Sequence, residues 1–337
     1  MLSIQARQCV WHLSHQEMET TAMKRFKNII FCTEGKACDQ FALELAHELA
    51  KRNEARLTVF NVVEELPRDL LRLAAAMPLD TLQSMALGEA RDQMEHFVSS
   101  MPTITLPVTI KVSCGKPCIE IVRAVLHHQH DLVIIVGSAR KGIKEKILGS
   151  TGMRLMRKCP CPVWVVNLSQ RKRFSQILAA VDPDPLDVVC DGMNTKIIDL
   201  ASSLAKLNNS ELHVVHAWQR IDETRLWGRH AEIPVSEVDE RARQISEVHQ
   251  RLLEDLLAQS DLDRLTCQTH LIEGDAGVVI PEVAAKEQID LIVMGTVARV
   301  GLEGYFIGNT AETVLGRVAC SVLAIKPEGF LSPVKLD

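Results

Sequence analysis

The constraint that weighs most on this chain is that it carries one pattern twice. Gly115 and Gly274, Asp131 and Asp290, Gly149 and Gly308, and Cys161 and Cys320 are four pairs, each 159 residues apart. Chance does not hold such a spacing over about fifty residues, and a repeat of this period means two copies of one unit. With 337 residues the chain is long for one hydrophobic core and comfortable for two. The expected layout is an N-terminal extension over 1–22, a first domain over 23–170 and a second over 174–331. The polar stretch Asn167 to Arg173 is the linker.

Each copy alternates short apolar runs with helical periodicity. Asn28-Ile-Ile-Phe-Cys-Thr33 and Ile177-Leu-Ala-Ala-Val-Asp182 open the two copies. The spacing then predicts helices over Gln40–Lys51 and Lys196–Leu207, followed by strands at Leu57–Phe60 and Leu212–Val215. Longer amphipathic segments follow, about Leu82–Val98 and Val238–Leu257. Asp131–Val136 and Asp290–Met294 read as strands with both faces covered, and Pro162–Val166 and Ser321–Ile325 supply a fifth strand each. The fold class is therefore α/β: two tandem Rossmann-like domains, each a five-stranded, mainly parallel sheet flanked by helices. Such sheets bind ligands beyond the carboxyl ends of their strands, where strand order reverses.

Composition narrows the function classes. No apolar run approaches the ~20 residues that a membrane span requires. A net charge of −5 argues against broad nucleic-acid binding, which wants a basic face. Ten cysteines without a secretory signal pattern fit a reduced, cytoplasmic setting. Cys159-Pro-Cys161 and Cys114-x3-Cys118 lack the two further ligands of a zinc site, so buried, inert thiols are the plain reading and no metal is expected. Residues 1–22 have neither an apolar signal core nor an Arg-rich helix, and read as a loose tail or an over-long start.

The second copy has the better candidate site. Val181-Asp182 ends its first strand, where the carboxylate can accept a hydrogen bond from a base or sugar. Met294-Gly295 ends the fourth strand and leads through Val297, Ala298 and Arg299 to Gly308-Asn309-Thr310. Glycines allow close backbone approach to a phosphate, and a helix start offers free N–H groups to an anion. A glycine-rich βα connection with no ligand fits the same residues. His216 ends the second strand, facing the cleft or simply serving as a polar strand end.

In the first copy Thr33 stands for the aspartate, and Val136 and Gly137 lie opposite Gly295 and Thr296. Lys144, Glu145 and Lys146 occupy the stretch that is Glu303, Gly304 and Tyr305 in the second, while Gly149-Ser150 persists at the helix start. No ligand is expected there.

Other patterns carry less. The Walker loop and GxGxxG are both missing, which counts against conventional NTPases and dinucleotide enzymes. Ser113-x-x-Lys116 and Ser138-x-x-Lys141 match SxxK without its partner motifs. His127, His128 and His130 sit at a helix end, where a favourable interaction with the helix C-terminus is a better reading than a metal site. The charged segment Asp239–Asp255 reads as a solvated helix face.

Together these residues resemble the universal stress protein family in its tandem form, over about residues 24 to 328. The family signature is a strand-end Asp followed, after the fourth strand, by Gly-x2-Gly-x9-Gly-(Ser/Thr). Asp182 and Gly295-x2-Ala298-x9-Gly308-Asn309 reproduce it, departing at Ala298 and Asn309. Lys158-Cys-Pro-Cys-Pro-Val163 and Ala179-Ala-Val-Asp-Pro-Asp-Pro185 belong to the same resemblance. It implies a non-catalytic cytoplasmic protein that supports stress survival, with links to DNA-damage resistance and to motility or adhesion. It also implies ATP or another small phosphorylated ligand in the second domain. Pairing of fifth strands would make the chain an intramolecular pseudo-dimer, with a homodimer as the alternative.

Overall fold

The computed structural model describes residues 25–65, 78–137, 149–168, 174–184, 188–219, 235–296 and 307–336. In chain order the elements are β1 (Asn28–Cys32), α1 (Gln40–Asn53), β2 (Arg56–Val63), α2 (Leu79–Ser99), β3 (Val108–Cys114), α3 (Pro117–His128), β4 (Leu132–Val136), α4 (Gly149–Lys158) and β5 (Val163–Val166). They continue with β6 (Gln176–Ala180), α5 (Val188–Asn208), β7 (Glu211–Trp218), α6 (Val235–Ala258), β8 (Cys267–Glu273), α7 (Ala276–Lys286), β9 (Leu291–Gly295), α8 (Asn309–Arg317) and β10 (Ser321–Ile325). Two compact units result, β1 to β5 in the first and β6 to β10 in the second.

Within the first unit every strand pairing is parallel, in the order β3-β2-β1-β4-β5. The second unit repeats it as β8-β7-β6-β9-β10. The central strands are apolar throughout because helices cover both faces. Ile29, Ile30 and Phe31 in β1, Ile134 in β4, Ile177 and Leu178 in β6 and Val293 in β9 are all fully enclosed. Strand order reverses between β1 and β4, and between β6 and β9, so each unit has one crevice at the carboxyl ends of those strands.

The halves also share their small devices. Ahead of β4, Asp131 accepts from the N–H groups of Lys27 and Asn28 at 2.5 and 3.0 Å. Ahead of β9, Asp290 accepts from Ser175 and Gln176 at 2.6 and 3.1 Å. Helices α1 and α5 end alike, with Asn53 and Asn208 donating to the carbonyls of Leu49 and Leu204. Glu54 and Asn209 follow in the left-handed conformation.

Several expected bounds move. β2 and β7 extend to Val63 and Trp218, because their ends go on pairing with β3 and β8, Val63 with Cys114 and Trp218 with Glu273. Helix α5 begins at Val188, eight residues ahead of the apolar periodicity. One correction reaches the site. Ile29 pairs with Leu132 and Ile177 with Leu291, so Thr33 stands where Val181 stands, and Glu34, not Thr33, is the counterpart of Asp182. Main-chain bonds from Thr33 to Phe60 and from Val181 to Val215, each 3.0 Å, fix the same register. Asn167, read as linker, is buried. Residues 1–24 and 169–173, which include the whole extension and most of the linker, lie outside the described residues.

Candidate functional site

In the second unit the crevice opens between the ends of β6 and β9, where Ala180 pairs with Met294. Asp182 follows β6, and its main chain is held from α5. Asn194 accepts from the Asp182 N–H at 2.9 Å and donates its amide to the Asp182 carbonyl at 2.9 Å. Asn194 is itself buried, so the residue presented to the crevice is fixed while its carboxylate stays 57% exposed.

His216 needs a correction. It lies inside β7 rather than at its end, and is buried because the strand continues through Ala217 to Trp218 under α6. Its Nδ1 is 3.3 Å from the Val181 carbonyl and 3.9 Å from Asp182 Oδ1, and its Nε2 is 2.8 Å from His249 Nδ1. The His249 ring lies nearly parallel to Trp218 at 5.6 Å. His216 thus backs the aspartate loop instead of standing free in the crevice.

Gly295, last in β9, has a packing reason to be glycine: a Cβ there would come within 2.8 Å of Met193 Sδ from α5. The buried Thr296 then binds the end of β10 through its N–H, 3.2 Å from the Ile325 carbonyl. Its own carbonyl accepts from Gly308 N–H at 2.9 Å, so the two ends of the intervening loop meet. Val297, Ala298 and Arg299 fall in that loop, outside the described residues.

Gly308 caps α8 in an extended conformation with φ −61°, and Asn309 and Thr310 are exposed in the first turn. The first N–H groups of a helix have no partner within it, so α8 aims donors and the positive end of its dipole outward. Lys326, directly after β10, is buried with its ammonium 4.5 Å from the centre of the Phe330 ring. The site therefore offers a fixed carboxylate on one side and backbone donors on the other.

The first unit holds the corresponding loop differently. Asp39 occupies the helical position of Asn194, as the matched Asn53 and Asn208 show. A carboxylate has no N–H to give a carbonyl, so Asp39 instead accepts from Thr33 Oγ at 2.6 Å, and Thr33 Oγ accepts from Gly35 N–H at 2.9 Å. Asp39 is buried, Glu34 pairs with Lys36 at 2.5 Å, and Val136 replaces Gly295. Gly149 starts α4 with φ +56°, unlike the extended Gly308. Lys144, Glu145 and Lys146 lie outside the described residues.

The remaining candidates resolve simply. His127 and His128 close α3 as expected, yet burial and Lys111 lower the His128 pKa. Its Nε2 lies 2.8 Å from Lys111 Nζ and serves as an acceptor rather than a cation at the helix end. His130 is pushed down to about 4, chiefly by burial. Ser113 donates to Glu120, not to Lys116; Ser138 and Lys141 lie outside the described residues. Arg243 pairs with Glu240 and Glu247 on an exposed face of α6, as the charge pattern predicts. Among the described residues no group of three His, Cys, Asp or Glu is placed to hold a metal ion, and Cys32, Cys38, Cys114, Cys118, Cys159, Cys161, Cys267 and Cys320 are free thiols.

Asn194, Met193 and His249 escape sequence reasoning. The one signal for Asn194 is the spacing it shares with Asp39 once α1 and α5 are aligned, and that alignment needs the helix ends.

Two segments, 25–167 and 174–326, match the model of the Universal stress protein family, and the chain belongs to that family. It is similar over nearly its whole length to universal stress protein E of Salmonella typhi: 26% identity over 321 residues, covering 94% of this chain and 99% of that protein. The relative of the same name from Escherichia coli (strain K12) is 26% identical over 317 residues, covering 94% and 98%. Among solved structures, the functionally unknown protein PA1789 of Pseudomonas aeruginosa PAO1 aligns with a TM-score of 0.64 and 25% identity, covering 92% of this chain and 95% of that one. A universal stress protein of Archaeoglobus fulgidus, at 16% identity and TM-score 0.60, covers 90% of this chain and 99% of its own, and shares the fold.

Proposed function

We propose that this tandem universal stress protein is a non-catalytic, cytoplasmic stress-survival protein whose second unit binds a nucleotide or related small phosphorylated ligand. One observation carries the reading: at the strand-order reversal of the second unit, the exposed Asp182 carboxylate is locked by Asn194 beside a loop whose closed neck leads into the start of α8. A carboxylate suits a base or sugar edge, and the α8 first-turn N–H groups suit the anionic end. Asn309 and Thr310, exposed in the first turn of α8, stand at that anionic position, and Val297, Ala298 and Arg299 are assigned to the same ligand.

The first unit serves as scaffold. The buried Asp39 carboxylate puts negative charge beneath its crevice, which opposes an anionic ligand. Ordering of the ligand loop would change the surface shown to a partner and so report the ligand in DNA-damage resistance, motility or adhesion.

The test is mass spectrometry of small molecules released from the purified chain, followed by calorimetric titration with ATP of wild type and Asp182→Ala. A retained nucleotide, and an affinity lost in the variant, is the expected result. Empty protein that takes up no nucleotide overturns the reading. ATP turnover abolished by Asp182→Ala would make the site an enzyme's instead.

A further inference from the structure

A pair of thiols lies away from the proposed ligand crevice, in the first unit. Helix α4 ends at Lys158, and Cys159-Pro160-Cys161-Pro162 leads into β5. Each proline fixes its own φ and restricts the residue before it to extended backbone, so both cysteines sit on main chain with little freedom. Their sulfurs are 3.5 Å apart, in contact but not bonded, and both thiols are free. Cys159 is fully enclosed and Cys161 is half-buried, which leaves one approach, through Cys161.

The surroundings are dry. The contact with Cys159 and burial raise the Cys161 thiol well above its ordinary range, and burial pushes Cys118 up to about 11. In the second unit the corresponding positions are Val318 and Cys320, so the pair is confined to the first. A packing role needs only one group of that size, as Val318 illustrates.

A ligand for this enclosed pair, with the Cys161 thiol raised well above its ordinary range, should not require thiolates or a third donor. Divalent cations require the first, and among the described residues nothing supplies the second. We propose that Cys159 and Cys161 form a chelating dithiol site for a neutral trivalent arsenical. Arsenous acid condenses with two thiols to give a dithioarsenite and two waters. Two S–H and two As–O bonds break, two As–S and two O–H bonds form, no electrons are transferred, and the complex is neutral throughout. Pyramidal arsenic, with bond angles near a right angle, spans sulfurs already in contact.

The test uses phenylarsine oxide and the full chain. Intact-mass measurement should show one adduct formed with loss of one water, retained in excess glutathione and released by dithiothreitol, the signature of two-sulfur chelation. Cys161→Ser should lose the adduct, while Cys38→Ser and Cys114→Ser keep it. In the wild-type chain, prior phenylarsine oxide should keep Cys161 from alkylation when the chain is then unfolded in urea with iodoacetamide, where a free thiol has its ordinary reactivity; this readout needs no variant to fold. Adduct yield should stay level between about pH 6 and 8, below the range where the Cys161 thiol ionises. Absence of the adduct, stripping by glutathione, retention in Cys161→Ser, or an unprotected Cys161 would each overturn the proposal. A steep rise with pH would overturn the neutral condensation in favour of a thiolate-requiring ion.

Discussion

Asn194 grips Asp182 by both ends of its main chain, accepting from the N–H and donating to the carbonyl at 2.9 Å each. No other side chain type satisfies both contacts at that length, because only an amide carries a donor and an acceptor side by side. Asn194→Asp keeps the shape but turns the donor into an acceptor facing a carbonyl. It should destabilise the second unit by about 1–3 kcal/mol, the cost of a buried polar group left without its partner. Chemical denaturation followed by fluorescence checks this, with Asn53→Asp, at a helix end of the first unit, as the comparison that leaves the crevice untouched.

The sheet lead-ins make a second prediction. Asp290 receives two main-chain N–H groups and Asp131 receives two at the matching place. Alanine at either position removes a charged acceptor from partly buried donors and should cost about 1–3 kcal/mol. Amide exchange of Ser175 and Gln176 should accelerate in Asp290→Ala, and of Lys27 and Asn28 in Asp131→Ala. Unchanged exchange would mean that water replaces the carboxylate without loss.

Two glycines should respond differently to the same substitution. Gly35 has φ +73°, and a Cβ there would come within 2.2 Å of Met94 Cε. Alanine therefore meets both backbone strain and a clash, and Gly35→Ala should cost about 1–3 kcal/mol. Gly295 has an ordinary φ and faces only the flexible Met193 sulfur, so Gly295→Ala should cost under about 1 kcal/mol. Denaturation midpoints of the two variants, measured side by side, decide it.

The buried histidines set a direction with pH. His130 is depressed to about 4 by burial, and His213 and His270 are depressed as well, first by burial. The unfolded chain, with imidazoles near 6.5, then takes up protons that the folded chain refuses. Stability is complete above that value and falls as pH drops below it toward each folded pKa. His130 alone should remove about 2 kcal/mol between about pH 7.5 and 5. Thermal unfolding across that range should show the loss, and His130→Asn should flatten it. The His213–His270 contact at 3.0 Å needs one ring to accept, so protonating both also breaks the bond that ties β7 to β8.

Much of this architecture is legible in the residues alone. The runs at Ile29–Phe31 and Leu291–Met294 are apolar at successive positions, which only a strand covered on both faces requires. The helix at Gln40 is legible because its apolar residues recur every three to four positions. The site was harder. Asp182 and Gly308 are visible as strand-end and helix-start residues, but the residue pattern sets Thr33 against Asp182, one position early. Nothing local distinguishes a register from its neighbour when loop lengths differ between copies. The polarity of His216 mimics a strand end; its burial depends on α6, whose His249 lies 33 residues further on.

By itself, the sequence determined the two-copy organisation, the strand and helix segments and the crevice end of each sheet. These follow from hydrophobic periodicity and glycine placement, which act over a few residues. Tertiary structure alone decided that Glu34 answers Asp182, that Asn194 holds the strand-end loop of one unit where Asp39 holds Thr33 in the other, and that Cys159 and Cys161 touch. Those are contacts between side chains whose neighbours are chosen by sheet register and helix packing, and a linear pattern does not carry that choice.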